Sequence, residues 1–106
     1  MTTEPLYDPA RETYDAATEA RISSLLVGAI DPHVHTGPSI ANRALDHLEY
    51  ARDCSEAGFA AIVTKDHDYA GVMTAWMIRK HNPELRTKVH SSIVLNNVVG
   101  GLNPYA

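Results

Sequence analysis

Leu25-Leu26-Val27-Gly28-Ala29-Ile30 runs directly into Asp31-Pro32-His33-Val34-His35 and then into Thr36-Gly37-Pro38-Ser39. An apolar run that ends in ionisable residues ahead of a Gly-Pro loop reads as a strand reaching its carboxyl end. The first strand is therefore expected over residues 29–35. Pro32 cannot donate to a ladder, which suits the end of a strand. In an extended chain, residues two apart share a face. His33 and His35 are thus expected to project together, with Ile30 and Val34 on the other side. Two neutral imidazoles on one face suit a divalent metal ion. The competing reading is a pair of ordinary turn or surface histidines.

Working outward, residues 1–9 carry two prolines and no periodicity and are expected to be a loose arm. Residues 10–26 are helix-friendly, with Tyr14, Ala17, Arg21 and Leu25 linked at spacings of three and four. After Gly37-Pro38, Ser39 is the expected N-cap of a helix over residues 39–57. Its apolar face holds Ala41, Ala44, Leu45, Leu48 and Ala51, and its wet face Arg43, Asp46, Glu49 and Arg52. Gly58 is the expected stop. Phe59-Ala60-Ala61-Ile62-Val63-Thr64 is nearly continuously apolar, as in a parallel strand covered on both faces, and the second strand is expected over residues 59–65. A third helix is expected over residues 69–80, burying Val72, Met73, Trp76 and Met77, with Asn82-Pro83 ending it. The third strand is expected over residues 89–96. Helix, then β-α-β-α-β, implies an α/β fold with parallel strands joined by crossovers.

In parallel sheets ligands bind at the carboxyl ends of strands. All three expected strands end in polar or ionisable residues: His33 and His35, then Lys65-Asp66-His67-Asp68, then Asn96 and Asn97. One such end is explained by solvent exposure, whereas three together point to a functional edge. Alternation puts Lys65 and His67 on one face of the second strand and Asp66 and Asp68 on the other. His67 is the best third ligand beside His33 and His35. A catalytic metal site takes about three protein ligands and keeps a position for water. Asp66 is a candidate to orient a ligand, to act as a base, or to cap the next helix. Lys65 is a plain cation, an anion clamp or a carbamylated bridge between metals. His90, at a strand start, reads as structural, and His47 and His81, in helices, as solvated.

Asp31-Pro32-His33-Val34-His35, followed by Gly58-Phe59-Ala60-Ala61-Ile62-Val63-Thr64-Lys65-Asp66-His67, resembles the opening of the metal-dependent hydrolase barrels. These include the amidohydrolases and the polymerase-and-histidinol-phosphatase (PHP) group. The PHP group ends its second strand in a Thr-Asp-His type of sequence, into which Lys65 is inserted here. With the segment Ile93-Val94-Leu95-Asn96-Asn97-Val98-Val99-Gly100-Gly101-Leu102-Asn103-Pro104, the pattern is most similar to an uncharacterised amidohydrolase-like family. The resemblance implies a (β/α)8 TIM-type barrel of about 250 residues, of which this chain supplies the N-terminal three βα units over residues 10–106. Later ligands would then lie beyond Ala106. The resemblance further implies a divalent cofactor held by His33, His35 and His67, zinc foremost, with manganese or iron as alternatives. It also implies catalytic roles for Asp66 and Lys65 on a small-molecule amide, ester or phosphoester. The rival reading is a non-catalytic α/β interaction module or one subunit of a split barrel, completed by a second copy or a partner chain. The isolated chain is expected to be poorly active.

Composition limits the alternatives. With 106 residues and a net charge of −4 the chain fits one small domain, able to bury about two thirds of its unfolded surface. A pI near 5.8 argues against a nucleic-acid footprint, which needs a basic stripe. No apolar run approaches the ~18 residues of a membrane span. The N-terminus lacks the basic start and apolar core of a secretion signal, and Cys54 is the single cysteine, so a cytoplasmic protein is expected. Cys54 itself reads as a half-buried apolar residue.

Overall fold

The structure, a computed structural model, describes residues 13–105. The expected arm at residues 1–9 and the expected first helical turn at residues 10–12 lie outside them. Helix α1 spans Ala16–Leu26, and its cap is Asp15, whose carboxylate accepts a hydrogen bond from the Thr18 amide at 2.7 Å. That bond satisfies one of the donors a helix start leaves unpaired. No residue of α1 is buried. Ile22 and Leu26 are half-covered, whereas the predicted stripe through Tyr14, Ala17, Arg21 and Leu25 faces solvent.

Strands β1 (Ile30–Val34), β2 (Ala61–Thr64) and β3 (Lys88–Ser91) form one parallel sheet in the order β1-β2-β3. The α/β class and the parallel pairing are as the sequence predicts. The third strand is shorter than residues 89–96 because Ser91 pairs with Thr64, the last residue of β2. Beyond it the Ser92 amide makes one bond to the Thr64 carbonyl, at 3.1 Å, and the chain leaves the sheet for a 3-10 turn at Asn97–Val99.

Helix α2 spans His47–Ala57, not residues 39–57. Asp46 and Glu49 form a reciprocal capping box, with the Glu49 amide 2.7 Å from Asp46 Oδ1 and the Asp46 amide 2.9 Å from Glu49 Oε2. Two orphan donors satisfied at once outweigh a lone serine cap. Ser39 instead closes a local turn, its hydroxyl accepting from the Ala41 amide. Gly58 ends α2 at φ +87°, a left-handed conformation that costs glycine nothing.

Helix α3 spans Val72–His81 and buries Ala75 and Ile78. The predicted core stripe is on the outside: Met73 is 69 % exposed and Trp76 44 %, with Val72 and Met77 between them. The helix is drawn onto the sheet by its small residues. Gly71 abuts Ser91 and Asp66 without room for a Cβ, and the Arg79 guanidinium donates to the Val89 carbonyl. The bulky side chains are thereby turned away. The Lys80 ammonium covers the Trp76 ring at 4.6 Å.

Ala51, Cys54, Ile62, Ala75, Ile78 and Val89 form the core, with Leu48, Tyr50, Phe59 and Leu85 around it. Ile62 and Val89 are register partners and fully buried, which is worth roughly 1.5–3 kcal/mol each. Both α2 and α3 therefore cover the same face of the sheet, and the opposite face is left largely open, with Ile30 64 % exposed. Cys54 is fully inside, and burial raises its thiol pKa, so it packs as an apolar residue. Among the described residues no helix is long and apolar enough to cross a membrane.

Candidate functional site

The open face and the carboxyl edge of the sheet bring together four of the five residues singled out from the sequence. His33 Nε2 and His35 Nε2 are 3.0 Å apart. The rings of His35 and His67 are parallel, with centroids 4.6 Å apart. Lys65 shares a cleft of about 420 Å³ with His33 and His67, whose other walls are Pro32 and residues 92–96. Asp66 is elsewhere. Alternation along β2 puts Ile62, Thr64 and Asp66 on the helix-covered face, and Asp66 is buried there.

The expectation for the first strand needs one correction. The register of β1 against β2 is irregular between Asp31 and Val34, where Pro32 interrupts the ladder. Ile30 pairs with Ala61 and Val34 with Thr64, so these two lie on opposite faces rather than together. Asp31 turns to the helix side. Its carboxylate accepts from the Tyr50 hydroxyl at 2.7 Å and from the His33 amide at 3.0 Å. Burial, and then this carboxylate, push the Tyr50 phenol well above its ordinary pKa.

The sequence predicts a solvated His47, but the ring is buried, at 2 % exposure. Its Nδ1 is hydrogen-bonded to Thr36 Oγ1, and its Nε2 lies 3.3 Å from Asp66 Oδ1 and 2.9 Å from the Tyr69 hydroxyl. Tyr69 donates in turn to the Pro38 carbonyl at 3.2 Å, and its phenol is pushed up to about 12 by burial and by Asp66. The backbone places this ring: the His47 amide donates to the Gly37 carbonyl and the Gly37 amide to Leu45, both at 2.9 Å. Helical periodicity does not reveal His47, because its partners come from two other segments, Thr36 after β1 and both Asp66 and Tyr69 after β2. The one available signal was its position directly after the Asp46 cap, where a helix start meets a strand end. Asp66 does not cap α3, which has no side-chain cap.

The network has a geometric consequence. Thr36 follows His35, and Asp66 precedes His67, so a single imidazole tethers both strand ends next to their histidines. Asp31 does the same for His33 from within β1, and Asn96 Nδ2 holds the His67 carbonyl at 3.0 Å. Carboxylates thus serve as tethers on the covered side, leaving imidazoles and Lys65 on the open one.

The fit of this edge to a metal is partial. His33 and His35 offer nitrogens at the spacing of two ligands of one ion, and His35 Nδ1 is buried without a hydrogen-bond partner. Burial, then the nearby His67 and Arg43, hold the His35 imidazole below its usual pKa, in the neutral form that a ligand requires. His67, stacked on His35, must turn its ring to add a third nitrogen. As they stand, no three such side chains among the described residues are arranged to hold an ion.

Fold and site together define an α/β protein of parallel βα units with a histidine-rich strand edge. The chain belongs to a family of unknown function (DUF6282), whose model matches residues 28–106. Neither the curated proteins nor the solved structures include a significant match.

Proposed function

We propose that this chain is the metal-binding N-terminal part of a (β/α)8-type hydrolase, acting on an amide, ester or phosphoester. The observation that carries the reading is the convergence of His33, His35 and His67 at the carboxyl edge of parallel strands, with 3.0 Å between the first two Nε2 atoms. The barrel is supported by strands that follow chain order, the packing of α2 and α3 on one face and a second face left open for an interior. The exposed Ile30, Ile93 and Leu95, and the bare apolar side of α3, favour completion by further polypeptide. In the same chain this gives a whole barrel, and from another chain a split one.

In this reading His33 and His35 hold a divalent ion, zinc foremost, and His67 joins them after a ring rotation. Such an ion supplies Lewis acidity and makes a water nucleophilic near neutral pH. His47, Thr36 and Tyr69 fix the two strand ends, and through them the separation of His35 and His67. Asp66, locked to His47 on the covered side, acts as a positioning residue in this arrangement. Lys65 faces the substrate.

Zinc and manganese titrations of the purified chain test this reading, with His33→Ala/His35→Ala and His67→Ala as comparisons. Saturable binding that the double variant abolishes and His67→Ala weakens is expected. Equal affinity in all three would return the histidines to ordinary surface residues.

A further inference from the structure

The same edge carries a charge imbalance that specifies what enters it. Lys65 is half-buried at the end of β2 and lines the cleft with His33 and His67. Among the described residues it has no carboxylate partner; the close imidazole–carboxylate contact they contain is His47–Asp66. The nearby carboxylates are committed elsewhere: Asp31 to Tyr50 and the His33 amide, Asp66 to His47. Asp68 does not line the cleft. A half-buried lysine lining an open cleft without a counter-charge leaves three ammonium donors for a ligand.

The rest of the cleft describes the ligand further. Asn96 spends one amide hydrogen on the His67 carbonyl and keeps the other. Ser92 is already donating to the Thr64 carbonyl. Pro32, Ile93, Val94 and Leu95 supply apolar wall. We propose that the cleft binds a small organic anion, its carboxylate or phosphate oxygens held by Lys65 and the free Asn96 amide hydrogen, and its apolar body laid along Ile93–Leu95. This names the substrate class for the site of the proposed hydrolase and rests on that reading for catalysis. The binding itself needs no metal.

The test uses the chain stripped of metal by chelation, with Lys65 variants reading the contribution of the lysine. Inorganic phosphate, acetate, phenyl phosphate and benzoate are titrated while backbone amide shifts are followed by NMR. Saturable shifts confined to residues 65–67 and 92–96 are expected, with the phenyl-bearing anions binding more tightly than the bare ones. Whether phosphate or carboxylate is preferred assigns the oxyanion. Lys65→Gln should weaken binding by about tenfold or more, as expected for losing one charge-assisted contact. Lys65→Arg should retain binding, and Lys88→Gln, at the far end of β3, should match the parent. No saturable binding by the parent, or equal binding by a folded Lys65→Gln, would overturn the proposal. Anion binding that persists in a chain unable to bind zinc would remove the metal reading and leave this one standing.

Discussion

His47 Nε2 stands 3.3 Å from Asp66 Oδ1, and both side chains are almost wholly removed from solvent. The imidazole joins the end of β1, through Thr36, to the end of β2, through Asp66. His47→Ala leaves the buried Thr36 and Asp66 side chains without their imidazole partner, for which about 1–3 kcal/mol of destabilisation is expected for each polar group left unpaired. Urea unfolding of the variant and parent measures it. If the chain still folds, its zinc affinity should also fall, because the strand ends lose their shared tether. Unchanged stability would show that the contact contributes nothing.

Gly71 is predicted to reject even one methyl group. A Cβ there would overlap Ser91 Oγ and come within 2.7 Å of Asp66 Oδ2. Gly71 has ordinary backbone angles, so the effect is steric, and Gly71→Ala should cost about 1–3 kcal/mol as an overpacking change. Ser91→Ala removes the worst overlap. The double variant should therefore recover part of the loss, and thermal melts of the four proteins of the cycle supply the coupling.

Tyr50 gives a pH signature. Its phenol is raised above the ordinary 10.0 by burial and by Asp31. The folded state thus keeps a proton that the unfolded state releases, and this contribution is present below pH 10 and lost as pH rises above it. Tyr50→Phe should be less stable than the parent at neutral pH and should lose less on going from pH 9 to pH 11. Denaturant midpoints across that range give the comparison.

Trp76 is the chain's single tryptophan and is 44 % exposed, on a helix face with Met73 and Met77. Its fluorescence in the dilute chain should be quenched readily by iodide. Raising the protein concentration, or adding polypeptide that completes the sheet, should protect it and shift the emission to the blue. Met73→Lys/Met77→Lys should suppress self-association without unfolding the chain, as sedimentation would show.

Local pattern was enough to reveal the strand ends. An apolar run ending in His33-Val34-His35, and another ending in Lys65-Asp66-His67, each report a strand and its terminus, because alternation and turn chemistry are properties of neighbouring residues. The same holds for Gly58 as a stop, and for Asp66 and His67 falling on opposite faces. The start of α2 was less legible. Ser39 and Asp46 both have capping side chains, and the reciprocal partner Glu49 decides between them.

By itself, then, the sequence determined the α/β order, the parallel sheet and the residues that reach its carboxyl edge, since each depends on contacts within a few positions. Only the tertiary structure decided the rest. It put His47 inside, because Thr36, Asp66 and Tyr69 arrive from other segments to satisfy both of its nitrogens. It also turned the Met-Trp side of α3 outward, because the close approach of Gly71 to Ser91 fixes which face of that helix meets the sheet. Burial and partnership between distant residues are set by packing, and helical spacing does not distinguish a face that will be covered from one that will not.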